Sequence, residues 1–171
     1  MHPLDKFKYC PCCGSNKYTA NSTKSKRCES CGFEQFMNPS AAYVALIHDD
    51  NGRWLVVRRR EEPAKGTLDL PGGFADIGET AEEGIAREVK EETNLDVTSC
   101  QYLFSVPNTY LYSGLQIPTL DMFFKCSVAD ISKLKAMDDA AECLWIAPED
   151  IHPEEFGLLS IRKGVEKISE E

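Results

Sequence analysis

The sequence predicts an α+β protein with two parts, a small metal-stabilised unit over residues 1–38 and a larger domain over residues 39–171. Two Cys-x-x-Cys pairs stand near the start of the chain and are separated by a polar segment. Further on, short apolar runs rich in β-branched and aromatic residues flank one clearly marked amphipathic helix. Pro39 lies between the two parts and favours an extended conformation for Asn38, so we place the domain boundary there.

The 171 residues carry 42% hydrophobic side chains, which is ordinary for a globular protein, and a formal net charge of −9. This charge argues against general affinity for the nucleic-acid backbone. No stretch is apolar for long enough to span a bilayer, and the first residues lack the apolar core of a signal peptide. We therefore expect a cytoplasmic protein without a membrane partner, whose eight cysteines are thiols or metal ligands.

The cysteine-rich unit extends from Phe7 to Phe36 and has the ligand spacing of a tetrahedral zinc site. The segment between the pairs, Lys17–Arg27, is too polar to build a core, so a metal must hold the unit together. The arrangement resembles a zinc ribbon with a closed, structural Zn²⁺ site, to which Cys12 is surplus. A disulfide framework is the alternative for a secreted protein. The predicted zinc ligands are Cys10, Cys13, Cys28 and Cys31.

The larger domain begins with a predicted hairpin. Ala41–His48 is apolar and β-prone, Asp50–Arg53 contains an Asn-Gly turn signal, and Trp54–Arg58 is the returning strand. Three arginines stand at its end, and because neighbouring strand residues point in opposite directions, at most some of them face one ligand. Thr67–Leu70 is then a short strand, and a Pro-Gly-Gly turn leads into the helix.

The helix starts at a capping box, in which the Thr80 hydroxyl and the Glu83 carboxylate satisfy free N–H groups. Apolar residues then recur at every fourth position, on the face that meets the core: Ala81, Ile85 and Val89. Three acidic residues form another face: Glu88, Glu91 and Glu92. Like-charge pairs at this spacing destabilise an isolated helix by about 0.2–0.5 kcal/mol each, whereas Mg²⁺, which prefers oxygen ligands, would reverse the effect. A merely solvated acidic face is the alternative.

The chain after this helix alternates strands and loops. A loop is predicted over Pro107–Pro118, and its two tyrosines, Tyr110 and Tyr112, are candidates for stacking on a base or lining a pocket. A tyrosine corner or packing in a dimer is the alternative for both. The other predicted elements are three strands and a final amphipathic helix: Val97–Val106, Thr119–Val128, Ala141–Ile146 and Phe156–Ser169.

The stretch from Gly73 to Leu95 resembles the Nudix box. In that signature a Gly is followed after five residues by Glu, and after seven more by Arg-Glu, an aliphatic residue, any residue, Glu-Glu, any residue, Gly and an aliphatic residue. This chain has Asn94 in place of the last Gly, and Asn is the next most tolerant residue of left-handed backbone. The matching residues are Gly73, Glu79, Arg87, Glu88, Val89, Glu91, Glu92 and Leu95.

The resemblance implies an α/β/α sandwich with a mixed sheet, and hydrolysis of a pyrophosphate bond with Mg²⁺ or Mn²⁺. It assigns the metal ligands to Glu88, Glu91 and Glu92. It also implies that Glu79 orients the cluster or accepts a proton and that Arg87 anchors it. A homodimer is expected by analogy. Candidate substrate contacts outside this set are Arg59, Gly72, Gly73 and, as an acidic residue near the last strand, Glu142.

A zinc ribbon directly before a Nudix domain is similar to the layout of the NADH pyrophosphatases, which carry Ser-Gln-Pro-Trp-Pro-Phe-Pro after the box. Here that region reads Ser-Val-Pro-Asn-Thr-Tyr from Ser105. We therefore predict a nucleoside diphosphate derivative as substrate, either ADP-ribose-like or a dinucleotide such as NADH or FAD. Two alternatives stay open: a sensor that binds a nucleotide-sugar without cleaving it, and an RNA-end hydrolase whose ribbon recruits RNA through Lys17, Lys24, Lys26 and Arg27.

Overall fold

The computed structural model describes residues 2–170, which form two compact units. The first unit combines the chain up to Ser40 with a later segment, Thr109–Thr119. The second unit contains Ala41–Asn108 and the chain from Leu120 onward. The domain boundary after residue 38 stays a prediction. No helix within residues 2–170 is both long and apolar enough to cross a membrane.

The first unit contains a three-stranded antiparallel sheet and a very small apolar centre. Phe7 packs against the buried side chains of this centre: Cys10, Tyr18 and Cys28. The Lys26 ammonium lies 5.1 Å from the centroid of the Tyr18 ring and donates a hydrogen bond of 2.7 Å to Phe7 O, so this lysine is buried. The strands are β1 Tyr18–Ala20, β2 Ser25–Cys28 and β3 Glu34–Phe36.

Seven more strands follow along the chain: β4 Ser40–Ile47, β5 Trp54–Arg59, β6 Leu68–Asp69, β7 Gly72–Phe74, β8 Val97–Tyr112, β9 Leu115–Val128 and β10 Ala140–Ile146. They form two sheets with the orders β10-β5-β6 and β7-β4-β9-β8. β4 pairs with β7, and β5 pairs with both β6 and β10, in antiparallel register. A parallel bridge joins Leu68 to Phe156.

Two helices, α1 Ala81–Thr93 and α2 Leu159–Ser169, cover opposite faces of these strands. Because successive strand residues point to opposite faces, β4 contributes to two separate cores. One core joins β4 to α1: Tyr43, Ala45, Ile47, Ile85 and Val89. The other joins β4 to α2: Val44, Leu46, Ile161 and Val165. The layers therefore follow the predicted helix–sheet–helix order.

β8 and β9 form one long hairpin where the sequence predicted a loop over Pro107–Pro118. That prediction is wrong, since both strands continue to a turn at Ser113 and Gly114, whose φ angles are +49° and +72°. Pro107 is tolerated within β8 because this strand is at the edge of its sheet, where a missing N–H leaves no ladder bond unmade. The predicted Pro-Gly-Gly turn also differs, since two of its residues belong to β7.

Candidate functional site

The helix α1 is fixed at both ends by local sequence. Thr80 Oγ1 accepts from the Glu83 N–H at 3.2 Å, and Glu83 Oε2 accepts from the Thr80 N–H at 2.8 Å, so the predicted capping box is present. At the other end, Asn94 adopts left-handed backbone with φ of +61° and its N–H donates to Lys90 O at 2.9 Å. Asn94 thus fills the place of the expected glycine without changing the way the helix ends.

Arg87 and three box glutamates form what we call the glutamate clamp: Arg87, Glu79, Glu88 and Glu91. Nε and Nη2 of Arg87 donate to the two carboxylate oxygens of Glu79 at 3.0 and 2.9 Å. Nη1 donates to Glu88 at 2.8 Å and to Glu91 at 3.0 Å. A further bond of 3.1 Å from Nη2 to Phe74 O ties the clamp to β7. One guanidinium therefore sets the spacing of three carboxylates and connects them to the neighbouring strand.

Two glycines of β7 lie directly against the carboxylates of α1. The Gly72 N–H donates to Glu92 Oε2 at 3.0 Å. A Cβ atom at Gly73 would lie 2.6 and 2.7 Å from the two oxygens of Glu88, and one at Gly72 would lie 2.0 Å from Tyr43 O. Glycine at both positions is therefore what allows the backbone of β7 to approach the helix so closely.

The surroundings of two of these carboxylates disfavour negative charge. Burial raises the pKa of Glu92 to about 8, although the Gly72 N–H favours the anion. Burial also raises the pKa of Glu88 despite its hydrogen bond from Arg87. In contrast, hydrogen bonds from Arg87 and from the Asp76 N–H lower the pKa of Glu79. A cation beside Glu88 and Glu92 would favour their ionised forms.

These residues fit a divalent metal ion. Carboxylate oxygens are the hard ligands that such ions take, and Glu88 and Glu92 present theirs one turn apart beside β7. A methyl group at position 73 would collide with the Glu88 carboxylate, so glycine there leaves both oxygens of Glu88 uncovered by a side chain of β7. Glu91 is more exposed and hydrogen-bonded to Arg87, so it faces solvent at the rim of the group.

Two of the predicted substrate contacts form ion pairs with other side chains. Arg59 donates to Asp69 Oδ2 at 2.6 Å and to Pro63 O at 2.9 Å. Glu142 accepts from Arg58 Nε at 3.1 Å, in an exposed pair between β5 and β10. Substrate binding by Arg59 and Glu142 stays a prediction.

Tyr110 and Tyr112 lie at the end of β8 and belong to the first unit. The box carboxylates and the β7 glycines belong to the second unit. Tyr112 is 64% exposed. Contact of either tyrosine with a substrate also stays a prediction.

The sequence reasoning missed two residues near the box. Asp69 is a buried carboxylate in β6 that contributes to the raised pKa of Glu92. A charged residue between Leu68 and Leu70 in a short strand was an available signal, because alternation places it alone on the opposite face. Tyr43 packs against α1 at Gly84, and no single-sequence pattern separates it from other core aromatics.

The four predicted cysteines come together in the first unit. Their Sγ atoms all lie within 4.8 Å of one another, and two belong to each Cys-x-x-Cys pair: Cys10, Cys13, Cys28 and Cys31. Burial alone would raise the pKa of Cys28, but the N–H groups of Cys31 and Ser30, with neighbouring thiols, lower it to about 6. A compact set of four sulfurs, two from each Cys-x-x-Cys pair, suits a tetrahedral metal ion such as Zn²⁺.

Comparison with known proteins finds a matching family model. The NUDIX domain model matches residues 37–165. An ADP-ribose pyrophosphatase of Methanocaldococcus jannaschii is 35% identical over 114 residues, which are 64% of this chain and 63% of that protein. A protein named NAD-capped RNA hydrolase NudC from Vibrio atlanticus is 29% identical over 106 residues, or 62% of this chain and 39% of that protein. The chain thus spans less than two thirds of either relative.

A solved structure supports the fold independently. The crystal structure of a NUDIX hydrolase from Nitrosomonas europaea superposes with a TM-score of 0.73 at 21% identity, covering 96% of this chain and 91% of that one. Its likeness confirms the predicted α+β class. Because the domain model also covers well over half of the sequence and includes every residue of the glutamate clamp, this chain belongs to the Nudix family.

Proposed function

We propose that this protein is a metal-dependent hydrolase that cleaves the pyrophosphate bond of a nucleoside diphosphate derivative, with ADP-ribose-like compounds as its main substrates. The observation that carries the proposal is the packing of Glu88 and Glu92 against the two glycines of β7, beside an intact glutamate clamp. The name of the archaeal relative, an ADP-ribose pyrophosphatase, supports the substrate class. Mg²⁺ or Mn²⁺ is the proposed metal, and Zn²⁺ the proposed ion of the cysteine cluster.

The residues of the site have distinct tasks in this proposal. A bound divalent cation would neutralise the diphosphate and help to activate a water molecule. Glu88 and Glu92 would hold this cation, and the Gly72 N–H keeps the Glu92 carboxylate oriented. Arg87 keeps Glu79 ionised and fixes it beside the other carboxylates, where it can take up a proton or orient the water. The Glu91 carboxylate, held on Arg87 at the rim, can join the cation when substrate enters.

The test is a substrate panel of ADP-ribose, NADH and FAD with Mg²⁺ or Mn²⁺, scored for AMP release. We expect release from ADP-ribose, and a loss of about a hundredfold or more in kcat for Glu92→Gln, since metal stabilisation of charge is worth several kcal/mol. Glu82→Gln is the matched control because Glu82 is an exposed acid on the same helix. Binding of ADP-ribose without AMP release at saturating metal would instead favour the sensor alternative.

A second candidate is an RNA-end hydrolase whose first unit binds the RNA chain, as the name of the Vibrio relative suggests. The residues of the first unit include six basic and three acidic side chains, although the whole chain has a net charge of −9. Lys17, Lys24 and Arg27 are exposed, whereas Lys26 is buried and cannot take part. Glutamine at the three exposed positions should weaken cleavage of NAD-capped RNA at low salt and leave ADP-ribose hydrolysis unchanged. No RNA binding at low salt would exclude this candidate.

A further inference from the structure

The glycine at position 84 marks a tight contact within the second unit. Gly84 lies in the first turns of α1, where alanine would be the better helix former by about 1 kcal/mol. A Cβ atom there would lie 2.1 Å from Cε2 of Tyr43 and 2.6 Å from Oε1 of Glu79. The Tyr43 ring and the Glu79 carboxylate therefore share the space above this one glycine.

The Tyr43 ring cannot move aside easily. It is only 4% exposed and meets Phe124 of β9 edge-on, with ring centroids 6.4 Å apart and planes at 70°. It also belongs to the core between β4 and α1. Because buried side chains are packed as closely as in crystals, a shift of this ring would displace its neighbours as well.

The backbone of Tyr43 meets the other half of the site. In the β4–β7 register, Tyr43 is the partner of Gly73. Its carbonyl oxygen is also the atom that a Cβ at Gly72 would meet at 2.0 Å. These two glycines are the ones that contact Glu88 and Glu92. Tyr43 therefore touches both the strand and the helix between which the carboxylates lie.

We propose that Tyr43 is a positioning residue of the hydrolase: its ring, seated on Gly84, fixes Glu79 against Arg87 and thereby sets the geometry of the glutamate clamp. This inference rests on the proposed function. Tyr43 does not itself need to touch the substrate. A carboxylate that orients a water or accepts a proton has to be held within a fraction of an ångström, and a displacement of about 1 Å can cost on the order of a hundredfold in rate.

The test is a set of four variants measured with ADP-ribose and Mg²⁺. Gly84→Ala should lower kcat on the order of ten- to hundredfold with little change in KM, because the added methyl displaces the ring and Glu79. Tyr43→Val should lower kcat in the same way, because Glu79 keeps its hydrogen bonds to Arg87 and the Asp76 N–H but loses the ring packed beside it. Tyr43→Phe, which keeps the ring, should retain near wild-type kcat. The double variant combines Gly84→Ala with Tyr43→Val. Because the smaller valine makes room for the alanine methyl, the kcat of the double variant should be severalfold higher than that of Gly84→Ala alone.

Tyr102→Val is the matched control. Tyr102 also meets Phe124 edge-on, with centroids 5.7 Å apart, but it is exposed and lies on β8. Its replacement should leave kcat and KM unchanged. Equal losses for Tyr102→Val and Tyr43→Val, or wild-type kcat for Gly84→Ala, would overturn the proposal.

A double-mutant cycle of Gly84→Ala and Tyr43→Val, measured by thermal denaturation, tests the Tyr43–Gly84 contact without relying on hydrolase activity. The melting temperature of the double variant should exceed that of Gly84→Ala, because the steric conflict is relieved. Additive losses in melting temperature would contradict the contact itself. If wild-type protein shows no turnover while the cycle shows coupling, the hydrolase function fails and the Tyr43–Gly84 contact stands. If Gly84→Ala does not fold, Tyr43→Val against Tyr43→Phe and Tyr102→Val decides the positioning role.

Discussion

The buried carboxylate of Asp69 determines what the side chain of Arg59 binds in this structure. Asp69 is 6% exposed, and its Oδ2 atom lies 2.6 Å from Arg59 Nη1. Burial raises the pKa of Asp69, and the Arg59 guanidinium opposes that rise. Arg59 is one of the candidate substrate contacts from the sequence, and sequence position alone does not reveal the buried carboxylate across the strand pair. In this structure Arg59 compensates a charge inside the protein.

At this scale we expect Arg59→Met to lower the free energy of unfolding by about 3 kcal/mol, because it leaves the buried Asp69 carboxylate without its partner. Urea denaturation measures the loss. Arg58→Met is the matched control, since Arg58 forms an exposed pair with Glu142 that is worth about 0–1 kcal/mol. If Arg59→Met were as stable as Arg58→Met and raised only the KM for ADP-ribose, the predicted substrate contact of Arg59 would be supported instead.

Among the elements, the turn from β4 to β5 depends on a single aspartate. The two strands belong to different sheets, so the predicted hairpin is wrong although the turn itself is present. Asp49 Oδ1 accepts from the N–H groups of Asn51 and Arg53, both at 2.9 Å, and its Oδ2 lies 2.6 Å from Arg53 Nη2. Gly52 supplies the positive φ of +76° that the turn requires. Sequence reasoning placed the turn correctly from its Asn-Gly pair, but nothing in that pair identified Asp49 as its main acceptor.

The turn between β4 and β5 makes acid stability depend on Asp49. Burial would raise the pKa of Asp49, but hydrogen bonds from Arg53 and the backbone lower it below its ordinary value. A lowered folded-state pKa gives stability that is fully present above the unfolded value, about 3.9, and is lost as pH falls through the folded value. Asp49→Asn should therefore be less stable than wild type at pH 7 and converge with it towards pH 2. Denaturant titrations across this range, with exposed Asp50→Asn as control, measure the difference; parallel curves would contradict it.

A second prediction at this scale concerns α2. A Cβ atom at Gly164 would lie 2.2 Å from the Phe123 ring, which is fully buried. Gly164→Ala should therefore destabilise the protein by about 1–3 kcal/mol through overpacking, even though alanine is the better helix former. Thermal denaturation measures this, with Glu166→Ala on the exposed side of the same helix as control. A stabilised Gly164→Ala would show that Phe123 can move.

The secondary structure was predictable wherever local chemistry and tertiary packing agree. The capping box and the apolar stripe of Ile85 and Val89 defined α1 almost to the residue, since the same side chains start the helix and bury it. The β8–β9 hairpin was not predictable, because Pro107 is a strand breaker in general and acceptable only at an edge that no single sequence reveals. The acidic residues and the arginine of the site were predictable because they lie within the box. Asp69 and Tyr43 were not, because they belong to other strands, β6 and β4, that only folding brings to the box.

For the whole molecule, the first unit has a very small apolar centre. Its apolar centre consists of Cys10, Tyr18 and Cys28 with Phe7, which is too little buried surface to keep a unit of this size folded alone. The proposed Zn²⁺ at the four cysteines would supply most of the missing free energy, as metal ions do in other small domains with four cysteine ligands.

Two serine variants test this dependence because the chain offers a neighbouring cysteine outside the cluster. Cys13→Ser should lose the bound zinc and the slow amide exchange of β1–β3, whereas Cys12→Ser should keep one zinc per chain and wild-type exchange. Metal analysis and hydrogen–deuterium exchange measure both. Zinc retained in Cys13→Ser but lost in Cys12→Ser would show that Cys12 is the ligand in its place.

The first unit is assembled from two distant stretches of chain, and Lys6 donates a hydrogen bond to Gly114 O at the hairpin tip. A recombinant fragment that starts at Ala41 would therefore keep residues 109–119 but lose the chain that packs on them. The uncovered end of this hairpin, where Leu111 and Tyr112 are already exposed, would promote aggregation during purification. A fragment intended to contain the second unit alone should therefore have the β8–β9 hairpin shortened as well as the leading residues removed.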